Sequence, residues 1–356
     1  MTTDVGTEKQ SLAATLSHFI HRHFILILLG SYAVAALFPA MGLMVRDVSI
    51  ANVTVLNETV KVSAPMLMLA YLLFNAGFGI KTKEMAGLNK KPSMLLMGLA
   101  ANIAVPLLVI AGLSALAANW HNNDELQSIL VGLALVASMP IAGSSTAWAQ
   151  NANGNMAISV GLVMLSTLLS PFLTPFGLQA VSLVTSGDYS EDLVELSQTG
   201  TRAFLLLSVI LPVATGMVVR HLLTDERAVK LRPWLKLTNS AILVVLIYSN
   251  AAISLPKAFL HPDWDFLALV AAVTGGLCFL MFAAGWLVSR LARCNIEEKV
   301  SMLFALGMNN NGTGLVLAGM ALSDHPNVLL PIIFYNLIQH LAAGSVDFAI
   351  SRKIQK

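Results

Sequence analysis

Apolar residues run in long, nearly uncharged stretches along most of this 356-residue chain, and short polar segments separate them. Each stretch holds about 20 residues, the length that an α-helix needs to cross the hydrocarbon core of a bilayer. The pattern predicts an all-α membrane protein with ten transmembrane helices, near residues 24–44, 64–80, 94–118, 129–148, 155–184, 203–222, 237–254, 266–289, 300–322 and 327–348.

Two of these stretches are interrupted by small polar residues. We call residues 137–146 the first break and residues 305–314 the second break. Broken helices are tolerated at membrane depth only where the freed backbone groups are buried in protein or line a cavity. Matched breaks in the two halves of a chain are typical of the binding site of a secondary transporter. The polar side chains that the breaks offer for substrate binding are Ser144, Ser145, Thr146, Asn309, Asn310, Asn311 and Thr313.

These candidate ligands are neutral amides and hydroxyls. Together with free N–H groups at helix ends, they can bind a carboxylate or a sulfonate without a buried countercharge. His340 is a further candidate, since an ionisable side chain inside a span is often functional and histidine titrates near neutral pH. For each residue singly, hydrogen bonding between packed helices is a competing explanation.

The composition supports a membrane protein and not an enzyme. The chain is 56% hydrophobic and 11% charged, with a mean hydropathy of +0.74. The spans contain no His-Glu-x-x-His, no Gly-x-Ser-x-Gly and no carboxylate pair, so we expect no catalytic residue and no cofactor. The net charge of +2 comes without a basic stripe, which argues against a nucleic-acid partner.

The basic residues predict the topology. Most of the 21 Lys and Arg residues fall in alternate connecting segments, and such segments face the cytoplasm. Both termini are then cytoplasmic, in a multi-pass protein of the cell (inner) membrane. Residues 1–23 form a cytoplasmic segment, for which we expect a short helix on the inner membrane surface. Because each half has five spans, the halves at residues 24–185 and 203–350 are predicted to be inverted repeats, with the breaks in spans four and nine.

The residues around the breaks resemble a known family. Pro140, Ser145, the Gly154-Asn155 pair, Ser159 and Ser166-Thr167 fall on the spacing of bile acid:sodium symporters, and residues 307–310 are similar to that family's Glu-x-Gly-x-Gln-Asn motif. The resemblance implies a ten-span fold of two inverted five-span repeats. Discontinuous helices 4 and 9 would cross each other, and the repeats would intertwine into a core bundle and a panel bundle.

The chain departs from that family where sodium would bind. The resemblance places Ala101, Val163 and Ala305 at positions that hold sodium ligands in the family, so these ligands are lost. Ser145, Thr146 and Ser159 are the ion-site positions retained. Without a carboxylate, a buried ion depends on neutral oxygen dipoles. We therefore expect no metal site, and we do not expect sodium to bind through the ligands that the family uses.

The sequence thus predicts a secondary transporter that moves a small organic anion by alternating access. Bile-acid-like and pantoate-like carboxylates or sulfonates fit equally well. Uniport and proton coupling through His340 are favoured for the energetics, while non-sodium symport and sodium coupling through backbone carbonyls are alternatives. A ligand-gated channel or a sensor is the alternative class of function.

Overall fold

The structure is a computed structural model that describes residues 23–80, 91–116 and 120–354. The predicted N-terminal surface helix therefore lies outside the described residues. The first half contains α1 (Phe24–Leu37), α2 (Ala40–Asp47), β1 (Ser49–Val55), β2 (Glu58–Ser63), α3 (Ala64–Gly79), α4 (Pro92–Leu116), α5 (Asn123–Ser138), α6 (Ser144–Asn151) and α7 (Met156–Ser182). The second contains α8 (Asp188–Gln198), α9 (Thr201–Leu222), α10 (Asp225–Ala251), α11 (Leu255–Leu260), α12 (Trp264–Leu291), α13 (Ile296–Gly307), α14 (Asn311–Ala321) and α15 (Leu329–Ile354).

Five of the described helices are long and apolar enough to cross a membrane, and the bent pair α1 and α2 makes a sixth if it is counted as one span. The five are α4, α7, α9, α12 and the segment Pro326–Ile350. This confirms a predominantly helical, multi-pass membrane protein. The remaining predicted spans correspond to helices that are shorter or, like α10, more polar.

The first predicted span is bent. The axes of α1 and α2 differ by 92°, and Phe38 and Pro39 lie between them. Proline lacks an N–H group and disfavours the helical conformation of the residue before it, which explains the end of α1 at Leu37. The phenol of Tyr248 on α10 donates to the carbonyl oxygen of Phe38 at 2.5 Å. A side chain from another helix thus satisfies the carbonyl oxygen that the bend leaves free.

A short β-hairpin follows the bend, and the pattern of apolar stretches did not indicate it. β1 and β2 are antiparallel, and Val55 pairs with Glu58 across a two-residue turn. Leu56 and Asn57 have φ angles of 53° and 64°, as a type I′ turn requires. Four of the seven residues of Ser49–Val55 are β-branched, which favours a strand, but the turn lacks the glycine that usually marks such hairpins.

The helices pack as two bundles. The panel bundle consists of α1, α2, α3, α9, α10 and α11, and the core bundle of α4 to α7 and α12 to α15. Each bundle therefore takes helices from both halves of the chain. Within the panel bundle, α3 and α9 approach most closely at Gly77 and Gly216, where a Cβ atom on either residue would overlap the backbone of the other helix. Arg46 of α2 links the bundles, because its guanidinium donates to Asn250 of α10 and to the carbonyl oxygen of Gly319 on α14.

The acidic helix α8 connects the halves and packs on the core bundle. The Tyr189 hydroxyl donates to Asp124 at 2.7 Å, and Asp192 lies 3.4 Å from the imidazole of His325. Burial raises the pKa of Tyr189 to about 12, so this phenol stays protonated and can donate at neutral pH.

An ion pair between a buried carboxylate and an exposed lysine lies at the beginning of α13. Glu298 and Asn295 form a capping box, in which each side chain accepts a hydrogen bond from the other residue's N–H group. The Glu298 carboxylate also lies 2.5 Å from the Lys91 ammonium, directly before α4. The carboxylate is only 5% exposed, whereas the lysine side chain is 48% exposed.

Replacing Lys91 by methionine should lower the free energy of unfolding by about 1–3 kcal/mol, because the buried Glu298 carboxylate loses a charged partner. Melting temperatures of the purified variants in detergent measure the change. Lys230→Met is the matched control, since the Lys230–Glu226 pair is exposed on both sides and its loss should cost less than about 0.5 kcal/mol. Equal effects of the two substitutions would contradict the structural role of the Lys91–Glu298 pair.

Candidate functional site

The two breaks meet and are bonded to each other through their main chains, at a place that we call the crossing. α5 ends at Ser138 and α6 begins at Ser144, while α13 ends at Gly307 and α14 begins at Asn311. Between these ends, Ile141 lies opposite Asn309 in an antiparallel bridge. The N–H of Ala142 donates to the Met308 carbonyl at 2.9 Å, and the N–H of Asn310 donates to the Pro140 carbonyl at 2.8 Å. Residues more than 160 positions apart therefore satisfy each other's freed backbone groups.

Local sequence explains why the helices stop there. Met139 is extended, as expected for a residue before proline, and Pro140 has no N–H to continue α5. The next N–H group, that of Ile141, donates to the Ser166 hydroxyl of α7 at 3.1 Å. In the second break, a Cβ atom at Gly307 would collide with the ring of Phe282, so the end of α13 packs where only glycine fits.

Gln339 of α15 holds the second break from the side. Its Oε1 accepts from the Asn309 N–H at 3.1 Å, and its Nε2 donates to the Asn309 carbonyl at 3.2 Å. The Asn309 side chain in turn donates to the carbonyl of Val136 at 2.9 Å. Gln339 also bonds to Asn336, which donates to Tyr32 of the panel bundle. The sequence predicted a functional role for the titratable residue His340. In the structure, its neighbour Gln339 is the residue that bonds to the main chain of the second break.

Four helix ends meet at the crossing. The C-terminal ends of α5 and α13 carry a partial negative charge, and the N-terminal ends of α6 and α14 carry a partial positive charge, each equivalent to about half an elementary charge. Free N–H groups at helix N-termini are favourable for anions, and free carbonyls at C-termini are favourable for cations. The crossing thus offers sites of both signs without a buried charged side chain.

The predicted residues of the first break differ in exposure. Ser144 is the exposed first residue of α6, and Ser145 is completely buried. The Thr146 hydroxyl is half-buried and donates to the carbonyl of Gly143 at 2.7 Å. The Ser145 hydroxyl has no hydrogen-bond partner within the described part of the chain. The Ser145 hydroxyl therefore has unused hydrogen-bonding capacity next to the N-terminus of α6.

The second break carries more unsatisfied groups. Asn310 is half-buried and caps α14, because its Oδ1 accepts from the N–H of Thr313 at 3.3 Å. Asn311 and Thr313 are buried, and neither the Asn311 amide nor the Thr313 hydroxyl has a partner among the described residues; the same is true of Asn309 Oδ1. Unpaired buried polar groups cost about 1–3 kcal/mol each, so this cluster is expensive unless something else binds it.

The three lost ion positions are apolar, and of the three retained positions only Thr146 has a hydrogen-bond partner for its hydroxyl among the described residues. Ala305 is completely buried, and Ala101 and Val163 are half-buried. Ser159 is buried, and its hydroxyl has no partner among the described residues. The described residues contain no group of three or more His, Cys, Asp and Glu side chains that could hold a metal ion. His340 lies half-buried on α15, directly after Gln339.

A profile of the SBF-like CPA transporter family matches residues 22–351. The chain belongs to this family. The resemblance to bile acid:sodium symporters, which rested on the residues around the two breaks, is therefore confirmed. Membership in the SBF-like family makes the chain a secondary transporter in a membrane, with a small transported substrate.

Two proteins of Bacillus subtilis (strain 168) are similar to this SBF-like chain. The "uncharacterized sodium-dependent transporter YocS" is 23% identical over 292 residues, which cover 82% of this chain and 84% of the relative. The "uncharacterized protein YbaS" is 26% identical over 223 residues, which cover 63% of this chain and 69% of the relative.

Proposed function

We propose that the protein carries a small organic anion, a carboxylate or a sulfonate, across the membrane by alternating access. The observation that supports this most directly is the set of unpartnered neutral groups beside two helix N-termini at the crossing. Ser145, Asn311 and Thr313 supply hydrogen bonds there, and the ends of α6 and α14 supply positive partial charge. An anion would satisfy both features, whereas a cation would be repelled by the same helix ends.

The ten-span arrangement is part of this proposal. α5 with α6 would form one interrupted span, and α13 with α14 another, each the fourth of its half. The interleaving of the two halves in both bundles supports an inverted repeat, since each bundle then contains the corresponding helices of both repeats. Movement of the panel bundle against the core bundle would expose the crossing to one side of the membrane at a time. The cell membrane and cytoplasmic termini follow from the charge pattern of the sequence.

The second part of the proposal concerns the driving force of transport. We propose that the carrier does not use sodium through the positions at Ala101, Val163 and Ala305, because these side chains offer no oxygen ligand. Facilitated transport and proton coupling through His340 are then the two simplest mechanisms. The sodium dependence in the name of YocS makes sodium a required variable in every uptake measurement.

The test is ligand-dependent stabilisation of the purified protein. We expect at least one carboxylate or sulfonate from an organic-anion panel to raise the melting temperature saturably. At a ligand concentration of one hundred times its Kd, the free energy of unfolding should rise by about 2.7 kcal/mol. The matched neutral amide or ester of that compound should have no effect. Stabilisation by the neutral compounds alone would contradict an anion site.

The anion that binds is then tested in proteoliposomes. A carrier that alternates should show faster uptake of labelled anion when unlabelled anion is present on the opposite side of the membrane, in sodium and in potassium media alike. Uptake without this stimulation would identify a channel and overturn the proposed mechanism.

A further inference from the structure

Arg46 joins the panel bundle to the core bundle at the end of α14. Its guanidinium donates to the side-chain oxygen of Asn250 on α10 at 2.8 Å and to the carbonyl oxygen of Gly319 on α14. The first acceptor belongs to the panel bundle, like Arg46 itself, and the second belongs to the core bundle. One rigid, planar group therefore bridges two bundles that the proposed function requires to move apart.

The end of α14 is shaped to receive the guanidinium. α14 ends at Ala321, so the Gly319 carbonyl is among the last four of the helix, which have no N–H partner within it. The C-terminal end of a helix also carries a partial negative charge that stabilises a cation. A Cβ atom at residue 319 would lie 2.8 Å from the Cζ atom of Arg46, so the guanidinium fits here only against glycine.

The contact between Arg46 and Gly319 is of a kind that can open and close. The carbonyl is neutral, so breaking the bond separates no pair of opposite charges. Arg46 is half-buried, and water can hydrate both the guanidinium and the free carbonyl once the bundles separate. Within the panel bundle, by contrast, α3 and α9 are in backbone contact at Gly77 and Gly216, where no side chain can withdraw.

The position of Arg46 relative to the crossing gives this contact its role. α14 begins at the crossing with Asn311, and Gly319 follows eight residues later, roughly 12 Å along the helix. Leu315 lies one turn before Gly319 on the same face of α14 and is 2% exposed, whereas Ser144 at the crossing is exposed. The bundles are thus closed between the crossing and the side on which α14 ends. The charge pattern of the sequence makes this the outer side.

We propose that Arg46 and Gly319 form a latch that closes the crossing to the side on which α14 ends. The guanidinium holds the panel bundle against the end of α14, and it must leave Gly319 each time the crossing opens to that side. The latch rests on the movement of the bundles in the proposed function, but it does not depend on which anion is carried.

The experiment measures how fast a small maleimide labels cysteine reporters in the purified full-length chain in lipid nanodiscs, without any added anion. Leu315→Cys reports on opening beside the latch, and Ser144→Cys, in a separate protein, reports on the exposed part of the crossing. Cys294 is replaced by alanine. The native Cys278 is kept, because it is 1% exposed on α12 and becomes labelled only if the core bundle opens. Mass spectrometry distinguishes the labelled sites.

Two substitutions break the latch from opposite sides. Arg46→Gln removes the guanidinium, and Gly319→Ala fills the place of the guanidinium while the positive charge is kept. We expect each to raise the labelling rate of Leu315→Cys at least tenfold, with Cys278 still protected. Arg46→Lys keeps the charge but has one nitrogen in place of the planar fork, so its labelling rate should be intermediate.

Two matched controls accompany these variants. Arg202→Gln removes an exposed arginine at the start of α9, and Gly276→Ala adds a methyl group on α12 where no described atom lies within 4 Å. Both should leave the labelling rate of Leu315→Cys within twofold of the wild type. The proposal is overturned if Arg46→Gln and Gly319→Ala also stay within twofold. It is equally overturned if Cys278 is labelled as fast as Leu315→Cys, because Arg46 would then hold the fold together and not a gate.

The second reporter tests the proposed function separately from the latch. If access alternates, opening one side closes the other, and Ser144→Cys should be labelled at least threefold more slowly in the two latch variants. Faster labelling of Leu315→Cys with an unchanged rate at Ser144→Cys would confirm the latch and contradict alternating access.

Discussion

Replacing Asn310 by aspartate is expected to abolish binding of the transported anion while the protein stays folded. Aspartate is as good an N-cap as asparagine, so the hydrogen bond from the Thr313 N–H is kept. The substitution adds one negative charge at the N-terminus of α14, where we place the anion. At about 5 Å and an effective dielectric constant near 20, two like charges repel by about 3 kcal/mol, which weakens the Kd by more than about 100-fold.

Two variants make the result specific. Asn310→Ser keeps a neutral cap and should retain measurable binding, and Gln150→Glu adds the same charge at an exposed position near the end of α6. Melting temperatures without ligand show whether each variant is folded, and the anion affinity is then read from ligand-dependent stabilisation. An aspartate variant that binds the anion with wild-type affinity would place the substrate away from the second break.

The largest effect on stability is expected from Gly216→Ala. A Cβ atom at residue 216 would overlap the carbonyl oxygen of Phe74 and lie 2.8 Å from the N–H nitrogen of Phe78, both in the backbone of α3. Backbone atoms cannot rotate away as a side chain can, so α3 and α9 must separate along their contact. We expect a loss of about 3 kcal/mol or more, because overpacking of a well-packed interior usually costs 1–3 kcal/mol even where side chains can adjust.

Gly79→Ala is the matched control for this prediction. Gly79 is the last residue of α3, two positions after Gly77, and nothing lies within 4 Å of its Cβ position. Alanine is favoured over glycine in a helix by about 0.5–1 kcal/mol, so the control should be neutral or slightly stabilising. Size-exclusion profiles and melting temperatures in detergent compare the two variants. Similar melting temperatures would show that the panel bundle does not depend on this close contact.

The meeting of the breaks could be anticipated from sequence because its physical cause is local. A run of small polar residues in an apolar stretch leaves peptide groups unsatisfied, and such groups need a partner at membrane depth. The residues that provide the partners were harder to foresee. Gln339 lies 30 positions from Asn309. Apart from the adjacent His340, the sequence around Gln339 looks like that of any residue that packs one helix against another.

The segment outside the long apolar stretches was predicted least well. The bend at Pro39 follows from the chemistry of proline. The apolar stretch continues through Pro39, however, so hydropathy predicted a single straight span. The hairpin that follows has a turn of Leu56 and Asn57, which must adopt positive φ angles without a glycine.

Main-chain hydrogen bonds hold the two breaks together. The scaffold at the crossing is therefore independent of the side chains that would contact a substrate. Ala142 and Asn310 donate through their main-chain N–H groups, which every residue except proline possesses. The Asn311 amide and the Thr313 hydroxyl make no hydrogen bond to the described residues. Their side chains can therefore be exchanged for others of similar volume while the scaffold is retained. If the anion binds there, as we propose, they are the positions at which to engineer a carrier for a different substrate.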